Sequence, residues 1–254
     1  MAQPRVIPVL LLRRGGLVKT IGFEKPAYVG DPINAVRIFN EKEVDELVLL
    51  DIEASTAGAE PKYADIEEIV SEAFMPIAYG GGVRSVEQAR RLVGLGVEKI
   101  VLNSAVLEHP ELMRGVAEQL GSSSAVVSIN VKKDWRGRYR VYDSARRATT
   151  GHDLLEHARR CVAAGAGEVF INDVVRDGSG KGYDLDLIRA VAESVAVPVI
   201  ACGGAGSLAD FTAAVAAGAS AVAAGSMFVY MGRHRAVMIN YPGEKILREM
   251  FASV

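Results

Sequence analysis

The sequence predicts an α/β protein with a (β/α)8 TIM barrel built from two half-barrel repeats. Three observations predict this fold class: eight short apolar runs, amphipathic segments between them, and an internal repeat. The chain has 254 residues and is 50% hydrophobic, which is enough for one large core. We therefore expect a single barrel domain spanning residues 1–254.

Eight runs rich in valine, isoleucine and leucine predict the strands. Continuous apolar character, rather than strict alternation, is typical of parallel strands that are buried on both faces. In chain order the runs are residues 5–12, 45–52, 76–80, 98–103, 124–130, 168–173, 197–202 and 220–226.

Amphipathic segments between these runs predict the helices. Residues 85–96, 152–165 and 208–218 have apolar positions at helical spacing, and each ends on a glycine suited to a helix C-cap. The rival fold, an open doubly wound sheet, usually has a glycine-rich dinucleotide turn after an early strand. The first strand here is followed only by Gly15 and Gly16. The alternation of strands and helices therefore favours the closed barrel.

The two halves of the chain resemble each other. The segment "MPIAYGGGVRSVEQARRLVGLGVEKIVLNSA" is echoed in the second half by "VPVIACGGAGSLADFTAAVAAGASAVAAGSM". The matched pairs are Pro76 with Pro198, Ser85 with Ser207, and Ser104 with Ser226. We expect any site made by one half-barrel to have a counterpart in the other.

Two matched sets of turns indicate a ligand with two phosphates. Glycines at residues 80–82 and 203–204 follow the third and seventh strands, and hydroxyl-bearing turns at 103–104 and 225–226 follow the fourth and eighth. At the C-terminal face of a barrel, such turns offer backbone N–H groups and helix N-termini to an anion. The alternative is that these glycines only close tight turns.

Few ionisable residues lie where they could do chemistry. Asp51 and Asp173 end the second and sixth strands, and Asp177 lies on the following loop. Each could act as a base or hold a ligand hydroxyl, and Asp177 could equally form a turn with the two residues after it. Lys19, in the segment after the first strand, could contact a phosphate or be an ordinary solvated lysine.

Four charged residues stand at the starts of strands. Arg5, Glu46, Lys99 and Glu168 precede or open the first, second, fourth and sixth strands, so they should gather at the N-terminal mouth of the barrel. Charges at this face usually serve stability. Four residues of alternating sign could instead form a salt-bridged ring around an axial opening.

Composition excludes several function classes. A net charge of −2 gives no reason to expect a nucleic acid or an anionic membrane as partner, and the first apolar stretch is too short for a signal peptide or membrane span. Cys161 and Cys202 form neither a disulfide framework nor a zinc spacing, which suits the cytoplasm. We expect Cys202 to be a small apolar filler that lines the site. We expect no metal or cofactor and place every histidine on the surface: His109, His152, His157 and His234.

Trp135 lies in an insertion after the fifth strand, "KKDWRGRYRVYD". The alternating pattern of this segment predicts a hairpin. We expect the hairpin to pack on its own barrel, and the alternative is that Trp135 covers a ligand or a partner.

Over essentially the whole chain, the sequence resembles the cyclase subunit of imidazole glycerol phosphate synthase. The matching segments are "DELVLLDIEAS", "GGGVRSVEQARRL", "VEKIVLNSA", "RDGSGKGYDLDL" and "VPVIACGGAG". The resemblance implies that a glutaminase docks on the bottom of the barrel. Ammonia would then pass through the barrel to a ribulosyl phosphate substrate that is held by both phosphates at the top.

The resemblance also implies roles for individual residues. Arg5, Glu46, Lys99 and Glu168 match the ammonia gate, and Glu98 matches an acidic contact to the glutaminase. Lys19, Asp51 and Asp177 match active-site positions. The phosphate-binding positions match at Gly82, Asn103, Ser104, Gly178, Ser179, Gly204 and Ser226, with Gly225 a substitution in this set.

The departures from the family pattern concern its acids. The two catalytic aspartates, which end the first and fifth strands in the family, are replaced by Leu11 and Asn130, and a third family aspartate is Val175. A positioned general acid or base contributes about 10²–10⁴-fold in rate. Leucine cannot move a proton and asparagine can only form hydrogen bonds. We therefore expect weak or absent cyclase turnover.

Two segments, "VLLLRRGGLVKTIGF" and "GRHRAVMINYP", are closer to a paralogous branch, the glycosyl amidation-associated proteins of surface-polysaccharide biosynthesis. That resemblance implies a glutaminase subunit and a sugar amidotransferase as partners, with ammonia used to convert an acetamido sugar to an acetamidino sugar. Three hypotheses remain: an ammonia-conducting barrel, an authentic cyclase of histidine biosynthesis, and a phosphosugar-binding barrel without catalysis.

Overall fold

The computed structural model describes residues 3–252, so residues 1, 2, 253 and 254 of the predicted domain lie outside the described residues. The strands are β1 (Arg5–Arg13), β2 (Gly16–Ile21), β3 (Glu24–Gly30), β4 (Leu47–Asp51), β5 (Ile77–Gly80), β6 (Lys99–Leu102), β7 (Ala125–Lys133), β8 (Tyr139–Asp143), β9 (Ala148–Asp153), β10 (Glu168–Asp173), β11 (Val199–Cys202), β12 (Ala221–Ala224), β13 (Tyr230–Met231) and β14 (Ala236–Val237). The helices are α1 (Pro32–Glu41), α2 (Ala54–Ala57), α3 (Tyr63–Ser71), α4 (Val86–Gly94), α5 (Ser104–Glu108), α6 (Glu111–Leu120), α7 (Leu154–Ala163), α8 (Leu185–Ala192), α9 (Leu208–Ala216), α10 (Ser226–Val229) and α11 (Glu244–Phe251). A short 3₁₀ turn covers Ser122–Ser124.

Eight parallel strands close into a barrel. Their order around the barrel is β1, β4, β5, β6, β7, β10, β11 and β12, and β12 returns to β1. Each strand therefore pairs with the next barrel strand in the chain. All eight predicted strands are present, so the predicted (β/α)8 fold is confirmed.

The core has an inner and an outer layer because successive residues of a strand face opposite sides. On β1, Ile7 and Val9 point into the barrel, where they join the small inner cluster. Val6 and Leu10 point outward and join the larger cluster under the helices. Both faces of the strand are thus buried, which explains its continuous apolar sequence.

The internal repeat is visible in equivalent hydrogen bonds. The carbonyl of Pro76 accepts from Leu47 N at 2.9 Å, and the carbonyl of Pro198 accepts from Val169 N at the same distance. Ser85 is the N-cap of α4, and Ser207 is the N-cap of α9, where it forms a capping box. The two halves therefore use matching residues for matching turns.

The segment after β1 forms a hairpin that was not predicted from the sequence. β2 and β3 pair in antiparallel register, with Ile21 opposite Glu24 across the two-residue turn Gly22–Phe23. Both turn residues have positive φ, at 59° and 65°, as a primed hairpin turn requires. The hairpin stands beside the C-terminal end of the barrel and carries Lys19 towards its axis.

A second hairpin confirms the alternation predicted after the fifth strand. β7 continues beyond the barrel and pairs with β8, which pairs with β9. The hairpin packs on its own barrel as expected, because Val141 of β8 is buried in the core cluster under the helices, whereas the Trp135 side chain at the hairpin turn is 84% exposed. Its ring is covered instead by the guanidinium of Arg136, 4.3 Å from the ring centroid.

Within residues 3–252, the helices are all too short or too polar to cross a membrane. Long apolar helices of about 20 residues are what a membrane span requires.

Candidate functional site

A cavity of about 500 Å³ opens at the C-terminal ends of the barrel strands. This is the face at which barrel enzymes place their active sites. The hairpin β2–β3 and the loops after β4 and β10 form part of its wall. The site residues predicted from the sequence that line it are Leu11, Lys19, Asp51, Gly82, Asn103, Ser104, Asn130, Asp177, Gly225 and Ser226.

The two residues at the family's acid positions lie on opposite walls of this cavity. Leu11 is on β1 and Asn130 is on β7, and three strands separate β1 from β7 in each direction around the barrel. Asn130 is 7% exposed, and Leu11 packs against the inner core cluster. Neither side chain can donate or accept a proton in a reaction at neutral pH. Val175, at the third position, is 61% exposed and does not line the cavity.

Asn172, which sequence reasoning missed, stands beside Asn130. The two are register partners on β10 and β7, and both line the cavity. Asn172 Oδ1 is buried without a hydrogen-bond partner among the described residues. A Cβ at Gly203 would lie 2.4 Å from this oxygen, so the glycine leaves room for it. The signal was available in the alternation from Glu168, because every second residue of β10 faces the axis.

Lys19 is buried, so the alternative that it is a solvated lysine is wrong. Its side chain is 4% exposed, and its amine donates a hydrogen bond to the carbonyl of Val9. Burial lowers the pKa of Lys19 to about 8, and the nearby Asp177 and Cys202 partly offset that effect. A small change in the charge of the cavity can therefore change the protonation of this amine.

Asp177 faces Lys19 across the top of the cavity. Burial raises the pKa of Asp177 to about 6, although Lys19 and the hydroxyl of Thr20 lower it. The Thr20 hydroxyl donates to Asp177 Oδ2 at 3.3 Å, and Gly22 N donates to the Asp177 carbonyl at 3.0 Å. The hairpin and the loop after β10 are thus joined, and Lys19 and Asp177 form the titratable pair of the site.

The aspartates that end strands β4 and β10 hold their own loops. Asp51 Oδ1 accepts from the backbone N–H groups of Glu53 and Ala54, each at 3.0 Å. Asp173 Oδ1 accepts from Val175 N at 2.9 Å in the same way, and the Asp173 side chain lies outside the cavity. Burial raises the pKa of Asp173. Asp51 borders the cavity and Asp173 does not, which makes Asp173 a loop-forming residue.

The turns after β5 and β6 lie at one side of the cavity. Gly82 has φ +73°, and a Cβ there would lie 2.7 Å from the carbonyl of Ala59. Asn103 donates to Ser128 Oγ at 3.3 Å, and the Ser104 hydroxyl donates to Asp143 Oδ1 at 3.2 Å. The hydroxyl of Ser104 is therefore engaged by the protein, whereas the backbone of this turn borders the open space.

The turn after β12 lies next to the buried lysine. A Cβ at Gly225 would lie 2.7 Å from Lys19 Nζ, so the absence of a side chain at Gly225 makes room for the amine. Ser226 begins α10 and lines the cavity, as Ser104 begins α5 in the first half. The two half-barrels therefore present equivalent turns.

Three predicted phosphate-binding residues do not line the cavity: Gly178, Ser179 and Gly204. Close backbone approach explains the two glycines. A Cβ at Gly178 would lie 2.2 Å from Thr20 O, and one at Gly204 would lie 2.1 Å from Gly182 O. Ser179 Oγ accepts from Lys181 N at 3.3 Å within its own loop.

The other end of the barrel carries an ion-pair ring formed by Arg5, Glu46, Lys99 and Glu168. The guanidinium of Arg5 donates to both glutamates. Lys99 Nζ lies 2.9 Å from Glu46 Oε2 and 3.0 Å from Glu168 Oε2, which closes the ring. Burial opposes the charge of Arg5, but the two glutamates together raise its pKa. Glu46 Oε1 is buried without a hydrogen-bond partner among the described residues.

Glu98, which precedes Lys99, is exposed on the same face of the barrel as the ring. Nothing in the described chain covers its side chain. The position is therefore accessible to another protein.

One histidine departs from the prediction that all four are on the surface. His157 is 2% exposed on α7, where its ring contacts Arg160 and Cys161. Burial lowers the pKa of His157 to about 4, with Arg160 and His152 acting in the same direction. His152 lies on β9 rather than on the helix. Residues 3–252 bring together no group of three or more histidine, cysteine, aspartate or glutamate side chains that could hold a metal ion.

The chain matches the family described as "Histidine biosynthesis protein" over residues 5–235, which is most of its length. The chain belongs to this family. The (β/α)8 barrel described above is therefore the barrel of a member of this family.

Similar proteins bear the names of one enzyme subunit. A provisionally named imidazole glycerol phosphate synthase subunit of Pseudomonas aeruginosa is 51% identical over 243 residues, covering 95% of this chain and 97% of the relative. A provisionally named HisF subunit of Leptospira interrogans is 46% identical and covers 99% and 100%. The imidazole glycerol phosphate synthase subunit HisF of Streptomyces coelicolor is 40% identical and covers 88% and 89%.

Proposed function

We propose that this protein conducts ammonia from a glutaminase subunit through its barrel and performs little or no ring closure itself. The relatives are named as subunits of a synthase, which supports a role within a complex. The observation that carries the proposal is the pair Leu11 and Asn130, which leaves the upper cavity without a proton donor or acceptor at either family acid position.

The ion-pair ring is the proposed gate at the lower mouth. Each of its two cations bridges both glutamates, so movement of the Lys99 side chain would break two contacts and leave the Arg5 contacts in place. Lys99 is 16% exposed and is thus accessible from below. The free oxygen of Glu46 can accept an N–H from ammonia that enters there.

The middle of the barrel favours neutral ammonia over ammonium. Ile7, Val9 and Phe170 belong to the inner cluster above the ring, together with small alanines at residues 78, 221 and 223. Burial of an unpaired charge in such an apolar layer is far more costly than burial of a small neutral molecule. We propose that deprotonated ammonia is the species transferred.

The upper cavity is the proposed exit and holds a phosphate-bearing molecule. Asn130 and Asn172 provide neutral hydrogen-bonding groups on one wall, and Leu11 provides an apolar wall opposite. Lys19 supplies the positive charge beside the turn at Gly225, where a phosphate would lie. The matched turns of the first half, at Gly82 and Ser104, would hold a second phosphate. Gly178, Ser179 and Gly204 lie outside the cavity wall, in the loops after β10 and β11.

The acceptor of the nitrogen is proposed to be a sugar on another enzyme. The likeness to glycosyl amidation-associated proteins supports a sugar amidotransferase that forms an acetamidino group in surface-polysaccharide or lipopolysaccharide biosynthesis. The complex would work in the cytoplasm, where the two free cysteines stay reduced.

Glutamine hydrolysis tests the proposal. We expect the purified chain to raise the rate of its cognate glutaminase. We expect Glu98→Lys to weaken that stimulation at least tenfold, because it places a positive charge where the docking face carries a negative one. Glu87→Lys is the matched control, because Glu87 is exposed in the first turn of α4 at the opposite end of the barrel and the change in charge is the same. Stimulation that is absent, or equally reduced by both variants, contradicts the proposal.

Authentic ring closure is the second candidate function. The Lys19–Asp177 pair and Asp51 still border the cavity, and the Streptomyces coelicolor relative carries the subunit name without qualification. A third reading, a barrel that only binds a phosphosugar, rests on the same turns. Turnover with ammonium and the ribulosyl phosphate substrate distinguishes ammonia conduction without ring closure from authentic ring closure.

A further inference from the structure

The amine of Lys19 is buried without a carboxylate partner. Within residues 3–252 its one hydrogen bond runs to the carbonyl of Val9, and the side chain is 4% exposed. The ion pairs of the described residues engage three other lysines, Lys99, Lys133 and Lys245, but not Lys19. A buried ammonium without a paired charge is costly, so this environment favours the neutral amine. A neutral lysine amine is a nucleophile towards carbonyl groups.

The same amine borders the large cavity at the top of the barrel. Lys19 lines this space of about 500 Å³ together with Val9, Cys202 and Gly225. A Cβ at Gly225 would lie 2.7 Å from Lys19 Nζ, so the amine occupies the space that a side chain at this turn would take. Burial lowers the pKa of Lys19 to about 8, so about a tenth of the amine is neutral at pH 7. A carbonyl compound in the cavity can therefore reach a reactive nitrogen.

Two side-chain amides are placed to receive a carbonyl oxygen. Asn130 and Asn172 are register partners on β7 and β10, and Asn172 is also opposite Cys202 on β11. The next strand is β12, which ends at the turn beside Lys19 Nζ. Both asparagines are 7% exposed and line the cavity, and no hydrogen bond within the described residues uses either amide nitrogen. N–H donors stabilise the oxygen of a carbonyl group under attack, because negative charge develops there.

Asp177 supplies a group for proton transfer at the same cavity. Thr20, which follows Lys19, donates to Asp177 Oδ2 at 3.3 Å, and Asp177 Oδ1 accepts no hydrogen bond from the described residues. Burial raises the pKa of Asp177 to about 6. A carboxyl group that titrates near neutral pH can give a proton to a leaving hydroxyl group and later take one back.

We propose that Lys19 forms an imine with a small hydroxylated aldehyde or ketone, whose hydroxyl groups suit the free amide of Asn130. The amine nitrogen bonds to the carbonyl carbon while one of its protons passes to the carbonyl oxygen, which gives a carbinolamine. The hydroxyl group and the second nitrogen proton then leave as water, and the C=N bond forms without an oxidant or a reductant. A protonated imine stays positively charged, so the charge that Lys19 supplies beside Gly225 is retained. The inference goes beyond the proposed function and does not depend on a glutaminase.

Reductive trapping with dihydroxyacetone and cyanoborohydride tests the proposal, with glycerol as the probe that lacks a carbonyl group. Hydride from cyanoborohydride converts an imine into a stable secondary amine, which peptide mass spectrometry locates. At pH 7 we expect Lys19 to be labelled at least about tenfold faster than Lys132, an exposed lysine that lines the same cavity. An ordinary solvated lysine is almost fully protonated at this pH and reacts slowly. We expect glycerol to label neither residue.

Variants separate the nucleophile from the group that moves protons. Lys19→Met should remove most of the total label, whereas Lys132→Met should leave it nearly unchanged. Asp177→Asn removes a charge that favours the protonated lysine, so a loss of rate there reports lost proton transfer. We expect Asp177→Asn to slow labelling of Lys19 at least about tenfold. Glu24→Gln removes an exposed carboxylate from the same cavity and should leave the rate unchanged.

The native chain alone can overturn the proposal, and unfolding midpoints establish which variants fold. Label that is spread over exposed lysines, with Lys19 unlabelled, would contradict imine formation at this site. An equal loss of total label in Lys19→Met and Lys132→Met would contradict it as well. Labelling of Asp177→Asn at the native rate would overturn the role of Asp177 in the step.

Discussion

Leu11 and Asn130 lie on opposite walls of the cavity at the top of the barrel, and three strands separate them on either side. One contributes an alkyl group and the other an amide that stands beside a second amide, Asn172. Both positions are therefore chemically neutral at any pH at which the protein is folded. The charged groups of the barrel lie instead in the ion-pair ring at its N-terminal end and in the pair Lys19 and Asp177.

The ion-pair ring should contribute measurably to stability. Replacement of Lys99 by alanine leaves Glu46 and Glu168 with Arg5 as their one remaining cationic partner. We expect the free energy of unfolding to fall by about 3 kcal/mol, measured by urea denaturation at pH 7. The control Glu98→Gln, at the exposed neighbouring position, should stay within about 0.5 kcal/mol of the native chain. A ring without energetic coupling would show the same small change in both.

The carboxyl group of Asp177 should titrate near pH 6. Burial raises its pKa and Lys19 lowers it, so Lys19→Met should move the midpoint above 6. Carboxyl ¹³C NMR on the two proteins measures this directly. Because the folded-state pKa is above that of the unfolded chain, ionisation of Asp177 makes unfolding easier as the pH rises from about 4 to 6. An Asp177 midpoint near 4, unmoved by Lys19→Met, would mean that the two groups do not interact.

His157 should make the protein sensitive to acid. Its pKa is about 4 when folded and its ordinary value is 6.5, so the unfolded chain binds the extra proton between these values. Stability therefore falls as the pH drops through this window, by about 2 kcal/mol between pH 7 and pH 5. His157→Leu should remove that part of the pH dependence, whereas His152→Gln, at an exposed site, should retain it. Chemical denaturation at the two pH values gives the comparison, and identical pH dependence in all three proteins would refute it.

Alanine substitutions at two glycines of one loop distinguish the free-energy cost of a steric clash from the cost of placing a side chain at positive φ. Gly178 and Gly180 have nearly the same φ, +68° and +67°. A Cβ at Gly178 would lie 2.2 Å from Thr20 O, whereas the nearest atom to one at Gly180 is 3.9 Å away. We expect Gly178→Ala to destabilise the protein by at least about 2 kcal/mol more than Gly180→Ala, measured by thermal unfolding. Equal losses would show that the loop can move away from the hairpin.

The strands and the ring could be predicted from the sequence because both follow from position along the chain. Parallel strands buried on both faces produce unbroken apolar runs, and charges at their starts fall at one mouth. The same continuity hides which residues face the axis. Asn172 was missed and Asp173 was chosen for this reason, although alternation from Glu168 at the lower mouth also places Asn172 on the face of β10 that points inward.

Burial of polar groups was the other feature that the sequence did not reveal. Lys19 is buried because an unpredicted hairpin carries it over the barrel, and its side chain reaches into the space left by Gly225. His157 is buried because it lies on the face of helix α7 that points towards the core. The helical periodicity of this segment permits either an apolar or a polar residue at that position. Both outcomes depend on contacts between segments that lie far apart in the chain or on different elements.

Ring closure by the purified chain, supplied with ammonium and the ribulosyl phosphate substrate without any glutaminase, is the most direct measurement of the central claim. The absorbance of the substrate and the imidazole product, separated by chromatography, gives the turnover. The account predicts that the rate falls below that of an aspartate-bearing cyclase by at least about 10²-fold, since a positioned acid or base is worth about 10²–10⁴-fold. Turnover equal to that of such a cyclase would contradict it.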